Sequence, residues 1–186
     1  MIIGITGIFG SGKTIVANMF SKYGYKIINV DKVGHKLLDK KEIKKKITRE
    51  FGDVLTKNKV DRRKLKDIVF YDSKKLKKLN KIIHPYLIKE VKKSIKKSKK
   101  AVVDAALLIE LGLRKHVGKV IVVKIDRDKA VKRILKKRKY TKKEIESIIK
   151  SQLPQNKKLR YADFVIDNNK SLSDTKKQVI DINKSL

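Results

Sequence analysis

Five short apolar runs are spaced along the chain: MIIGIT (1–6), KIINV (26–30), AVVDA (101–105), KVIVVKI (119–125) and DFVID (163–167). They are rich in β-branched residues and apolar on both faces, the pattern of strands in a parallel sheet covered by helices on either side. Between the runs the apolar spacing turns helical. In DRDKAVKRILKKR, Ala130, Val131, Ile134 and Leu135 share one face, and Asp126 is placed to cap the helix start. A longer helix carries Leu76, Leu79, Ile83 and Leu87 at three- and four-residue spacing. Ser73 can cap it, and Pro85 predicts a bend or a fresh start just after His84. The alternation predicts an α/β fold.

Residues 31–100 carry no strand-like run, only helical patterns broken near Phe51-Gly52-Asp53 and Lys57-Asn58-Lys59. The pattern therefore predicts a core built from 1–34, 101–135 and 159–186, with a helical insertion over 35–100. A second helical segment, 136–158, reads as too basic to pack fully. Internal repeats are absent, and the only compositional bias is toward Lys.

Size adds little to this picture: 186 residues support one ordinary core with a small appendage. No apolar run approaches the length of a membrane-spanning helix, and MIIGITG lacks the charged start of a signal peptide. The absence of Cys excludes disulfides and thiolate metal sites and fits a cytoplasmic location. Nothing in the pattern sets an oligomeric state.

Charge changes the picture more. The net charge is +32, from 51 Lys and Arg of which eight are Arg. Such a chain invites a nucleic-acid reading, because phosphate neutralisation drives non-specific binding. However, planar bidentate recognition favours Arg, aromatics make up only 6% of the chain, and the lysines are spread along its length. We read a solvated Lys-rich surface with incidental polyanion affinity and no specific nucleic-acid partner. The same field raises the local concentration of anionic substrates.

Candidate chemistry begins in the stretch after the first run. GIFGSGKT (7–14) matches G-x-x-x-x-G-K-[ST], with a strand before it and a helix after it. Gly10 and Gly12 let the backbone curl around an anion, and N–H groups from Gly10 through Ser11, Gly12, Lys13 and Thr14 to Ile15 converge on phosphates. Lys13 reaches the β- and γ-phosphates of a nucleoside triphosphate, and the Thr14 hydroxyl ligates Mg²⁺. Asp31 follows the second strand and stands where it can take the proton from an acceptor hydroxyl; the alternative is an N-cap on the helix VGHKLL. Asp104, ending the third strand, can hold the Mg²⁺ shell through water. Arg133 and Arg138 can swing over the phosphates, or belong to a solvated charged helix.

Taken in order, IIGITGIFGSGKT, IINVD, VDRRKLKDIVFYD, LNKIIHP, VVDAALLIELGL, SQLP and ADFVIDNN make the chain, nearly end to end, similar to the dephospho-CoA kinase family. The resemblance implies ATP-dependent phosphorylation of the ribose 3′-hydroxyl of dephospho-CoA, the last step of coenzyme A biosynthesis. It also implies a three-layer, adenylate-kinase-like P-loop kinase fold, with five parallel strands, a helical CoA-binding domain at 35–100 and a lid at 136–158.

The resemblance puts the family's catalytic Asp on Asp31, its lid arginine on Arg138 and its adenine-side loop on Asp167, Asn168 and Asn169. His84-Pro85 matches the family's His-Pro pair, as a substrate contact or as a packed helix junction. Four positions depart from the family pattern: Asn29 replaces the first of two Asp, and GKTI replaces GKST. Ala106 stands where Pro is expected, which loosens the turn after Asp104, and RKYTKKE replaces an Arg-Asp-Gly turn in the lid. Competing readings are another small-molecule P-loop kinase, such as one for nucleoside monophosphates, and a nucleic-acid-binding P-loop protein.

Overall fold

In the computed structural model, which describes residues 1–70, 72–136 and 140–186, the five apolar runs become one parallel sheet. Its strands are β1 (Ile2–Thr6), β2 (Lys26–Asn29), β5 (Ala101–Asp104), β6 (Lys119–Lys124) and β7 (Phe164–Asp167), in the order β2-β5-β1-β6-β7. Ile3, Ile5, Val102, Val103 and Val120 through Val123 are fully buried, as two-sided cover requires. On one face, α1 (Lys13–Ser21) and α9 (Leu172–Lys184) pack Val16, Phe20, Val179 and Ile182 against Ile3, Ile5 and Ile121. Alternation along β1 turns Gly4 the other way, where a Cβ would stand 2.6 Å from Leu108 of the segment after β5. The third layer therefore starts where the side chain at position 4 is missing.

This sheet unit comprises Met1–Asn29 and Ser94–Leu186. It also holds α6 (Arg127–Leu135), α7 (Lys142–Lys150) and α8 (Gln155–Leu159). Asp126 flanks α6 with extended backbone but makes no side-chain cap; its carboxylate lies 3.5 Å from Lys129 instead. The segment expected to stay loosely packed is anchored: Ile145 of α7 is fully buried beside Val131 and Ile134, with Phe9, Tyr140 and Ile149 around them. A capping box between Thr141 and Glu144 starts α7.

Below α7, Lys158 is completely buried, with its ammonium donating to Glu110 Oε1 at 2.6 Å and to the Ala106 carbonyl at 2.8 Å. Burial pushes the Lys158 pKa down, opposed by Glu110. The turn after Asp104, expected to be loose, is thus pinned, since Thr6 Oγ1 also donates to Ala106.

Val30–Lys93 form a separate helical unit of α2 (Val30–Leu38), α3 (Lys41–Phe51), α4 (Arg62–Val69) and most of α5 (Ser73–Lys96). Ile43 and Ile47, one helical turn apart, are fully buried in it, as are Val54 and Val91. At the second of the two breaks in the helical pattern, where no strand was expected, lies a small hairpin, β3 (Leu55–Thr56) and β4 (Lys59–Val60), paired antiparallel. Its turn residues Lys57 and Asn58 both have positive φ, 48° and 60°, as a two-residue hairpin turn of this hand demands. Lys44 Nζ braces it through Asn58 Oδ1 at 2.7 Å. Asp72, not Ser73, caps α5 by accepting from Lys74 and Lys75 N–H groups. The helix then runs through Pro85 without restarting.

Candidate active site

Parallel register brings the carboxyl ends of β1, β5 and β2 together, with Asp104 opposite both Ile5 and Asn29. Thr14, one residue into α1, donates from Oγ1 to Asp104 Oδ2 at 2.8 Å, and Asn29 Nδ2 donates to the same oxygen at 2.9 Å. The loop between β1 and α1 curls tightly. Gly10 and Gly12 have φ of 84° and 93°, and a Cβ at Gly12 would lie 2.3 Å from Asn168 Nδ2. Lys13 is buried and donates from Nζ to the Ile8 carbonyl at 3.0 Å.

The amides of Ser11 and Ile15, which the sequence turns toward phosphate, close turns onto the Ile8 and Gly12 carbonyls. Gly10, Gly12 and Thr14 keep N–H groups without a partner among the described residues. The start of α1 has no capping side chain and no acidic residue in its first turn. Its positive end is therefore left for an external anion. Ser11 Oγ is buried with no hydrogen-bond partner among the described residues. Free amides, an uncapped helix start and an orphaned hydroxyl together fit a polyphosphate. Thr14 beside Asp104 suits a hard, oxygen-seeking cation such as Mg²⁺.

The segment after β7 closes the other side of the loop. Asn168 is buried; its Nδ2 donates to the Ser11 carbonyl at 2.7 Å, and its Oδ1 accepts from Thr175. Arg133 Nη2 donates to the Asn168 carbonyl at 2.9 Å, which ties α6 to the same strand end. Asp167 caps Asn169 N–H through its own side chain, and Asn169 Oδ1 accepts from the Asp126 N–H. Lys13, Thr14, Ser11, Asp104, Asn168 and Arg133 are thus linked by contacts around this one loop.

Gly12→Ala should therefore cost more than backbone strain alone. Gly24 has a similar φ of 82° but open space around its Cβ position, so Gly24→Ala isolates the ~1–2 kcal/mol conformational cost. Thermal melts should show the larger loss at position 12.

Two further residues singled out in the sequence lie in the helical unit. Asp31 is the second residue of α2, inside its first turn and exposed, so it does not cap the helix. His84 is half-buried in the middle of α5, and burial lowers its pKa. The unfolded chain therefore binds a proton at His84 before the folded one does. Stability should fall as pH drops below the ordinary imidazole value, and His84→Gln should flatten the melting temperature between about pH 7 and about pH 5.5. Arg138 lies outside the described residues.

Reasoning from residue types missed Gln152 and Gln155. Gln152 Oε1 accepts from the Phe9 N–H at 2.9 Å, and Gln155 bonds both the N–H and the carbonyl of Ile125 at 3.1 Å. The only pointer to them was the SQLP run.

A family model described as dephospho-CoA kinase matches residues 1–174. A dephospho-CoA kinase of Fusobacterium nucleatum is 41% identical, covering 96% of this chain and 95% of its own. One from Aquifex aeolicus is 37% identical, covering 95% and 93%. The structure of dephospho-CoA kinase from Campylobacter jejuni superposes with a TM-score of 0.74 at 28% identity, covering 99% of this chain and 96% of that one. With the match running through phosphate loop, helical unit and final strand alike, the chain belongs to the dephospho-CoA kinase family.

Proposed function

We propose that this protein transfers the γ-phosphate of ATP to the ribose 3′-hydroxyl of dephospho-CoA, giving coenzyme A and ADP. The observation that carries the reading is the meeting of Lys13, Thr14 and Asp104 at one uncapped helix start, in a chain whose family match spans residues 1–174. Amides of Gly10, Gly12 and Thr14 hold the β- and γ-phosphates, and the Lys13 ammonium leaves the Ile8 carbonyl to follow the migrating charge. Thr14 and, through water, Asp104 would hold Mg²⁺, which would supply charge neutralisation on the phosphates. Asp31 accepts the proton from the 3′-hydroxyl. Asp167, Asn168 and Asn169 border the adenine of ATP, and Arg133 steadies that border through Asn168. The helical unit, His84 included, takes the acceptor.

A coupled ADP-release assay over a panel of acceptor alcohols tests the reading. ADP formation should require both dephospho-CoA and Mg²⁺. Turnover of sugars or nucleoside monophosphates without turnover of dephospho-CoA would refute it. No helix among the described residues is long and apolar enough to cross a membrane.

A further inference from the structure

The Ile8–Phe9 peptide is gripped from both ends. Its carbonyl accepts from Lys13 Nζ at 3.0 Å and from the Ser11 N–H at 3.1 Å. Its N–H donates to Gln152 Oε1 at 2.9 Å. A trans peptide is planar and stiff, so whatever aims the N–H also aims the carbonyl. We propose that Gln152 is a positioning residue for phosphoryl transfer: by orienting the Ile8–Phe9 peptide it sets where the Lys13 ammonium rests and from where it departs. The inference rests on the kinase reading and deepens it.

Gln152 can do this because it does not move freely. It is 9% exposed, and the residues on its C-terminal side are anchored to the sheet. The Leu153 N–H donates to Glu110 at 2.8 Å, Gln155 holds Ile125 at the end of β6, and Lys158 holds Ala106 and Glu110. On its N-terminal side α7 packs Ile145 against α6. The Phe9 ring meets Tyr140 edge-on at 5.4 Å within the same apolar cluster. Segment 140–153 therefore holds the Phe9 main chain with one residue and its side chain with others. Gly10 beside it has no room to drift, since a Cβ there would lie 2.7 Å from Ile134 Cδ1. The Phe9 amide is withheld from phosphate, and the cradle begins at Gly10.

Gln152→Met keeps the shape and removes the acceptor; Gln152→Glu keeps an acceptor oxygen in the same place. Met should lower kcat about tenfold, the worth of one aimed hydrogen bond, with KM for dephospho-CoA within about twofold. Glu should restore most of that loss. In the protein without nucleotide, the Phe9 amide should exchange its hydrogen faster in the Met variant than in the Glu variant or wild type. Wild-type kcat and Phe9 protection in the Met variant would overturn the proposal, as would equal losses in Met and Glu. If the Met variant gives no cooperative melt, Gln152→Asn, one methylene too short, takes its place with the same two outcomes. Hydrogen exchange needs no substrate, so a wild type inactive on dephospho-CoA would refute the proposed reaction, while Phe9 exchange would still show whether Gln152 holds the Ile8–Phe9 peptide.

Discussion

Asp31→Asn is expected to bind ATP as the wild type does while kcat falls by ~10²-fold or more. Asparagine keeps the size of the side chain and its hydrogen-bonding reach but cannot take a proton. A positioned general base is worth ~10²–10⁴ in rate, or ~3–5 kcal/mol. The competing role for an acid in the first turn of α2 is electrostatic support of the helix start, worth only ~0.3–1 kcal/mol and readable in stability. The two roles differ enough in size to separate cleanly. Fluorescence titration with ATP, steady-state kcat and a thermal melt on the same sample make the comparison. Unchanged turnover with a slightly lowered melting temperature would leave Asp31 as a helix charge and nothing more.

Lys13→Ala is expected to lose both nucleotide affinity and turnover, the latter by ~10²–10³-fold, the usual cost of removing one preorganised charge partner of the migrating group. The fold should survive. The Ile8 carbonyl that Lys13 bonds also accepts from the Ser11 N–H, so the loop keeps a turn-closing contact when the ammonium is gone. The stability loss should stay near that of a single hydrogen bond, ~1 kcal/mol. ATP affinity by calorimetry and kcat by ADP release measure the functional loss. Intact activity would contradict the phosphate-cradle reading of residues 7–14.

Most of the sheet was legible in the sequence because its strands are buried on both faces, which forces runs such as KVIVVKI to be apolar throughout. The hairpin at Leu55–Val60 was not, since two-residue strands are too short to show alternation and the turn pair Lys57-Asn58 lacks the usual Gly. Capping was off by one at α5 because Asp72 and Ser73 are both good caps and spacing alone does not choose between them. Segment 136–158 looked too basic to pack, yet within its described part the fully buried side chains of Ile145 and Lys158, with the contact of Gln152, anchor residues 140–158. Burial of an isolated polar residue leaves no periodic trace, so neither Gln152 nor Lys158 could be picked out by pattern.

Within the candidate site, Lys13, Thr14 and Asp104 were legible because each chemistry needs one residue type at one strand or helix end. The sharing of Asp104 by Thr14 and Asn29 depends on register. It was visible only in three dimensions. An Asp at position 29 would set a second carboxylate against Asp104, whereas Asn29 offers it a neutral donor.

The most direct measurement is the identity of the product formed from ATP, Mg²⁺ and dephospho-CoA. Phosphorus NMR should show a new phosphomonoester on the ribose 3′-oxygen growing in step with ADP. ADP accompanied by inorganic phosphate alone, or a phosphate on any other oxygen, would contradict transfer to that hydroxyl.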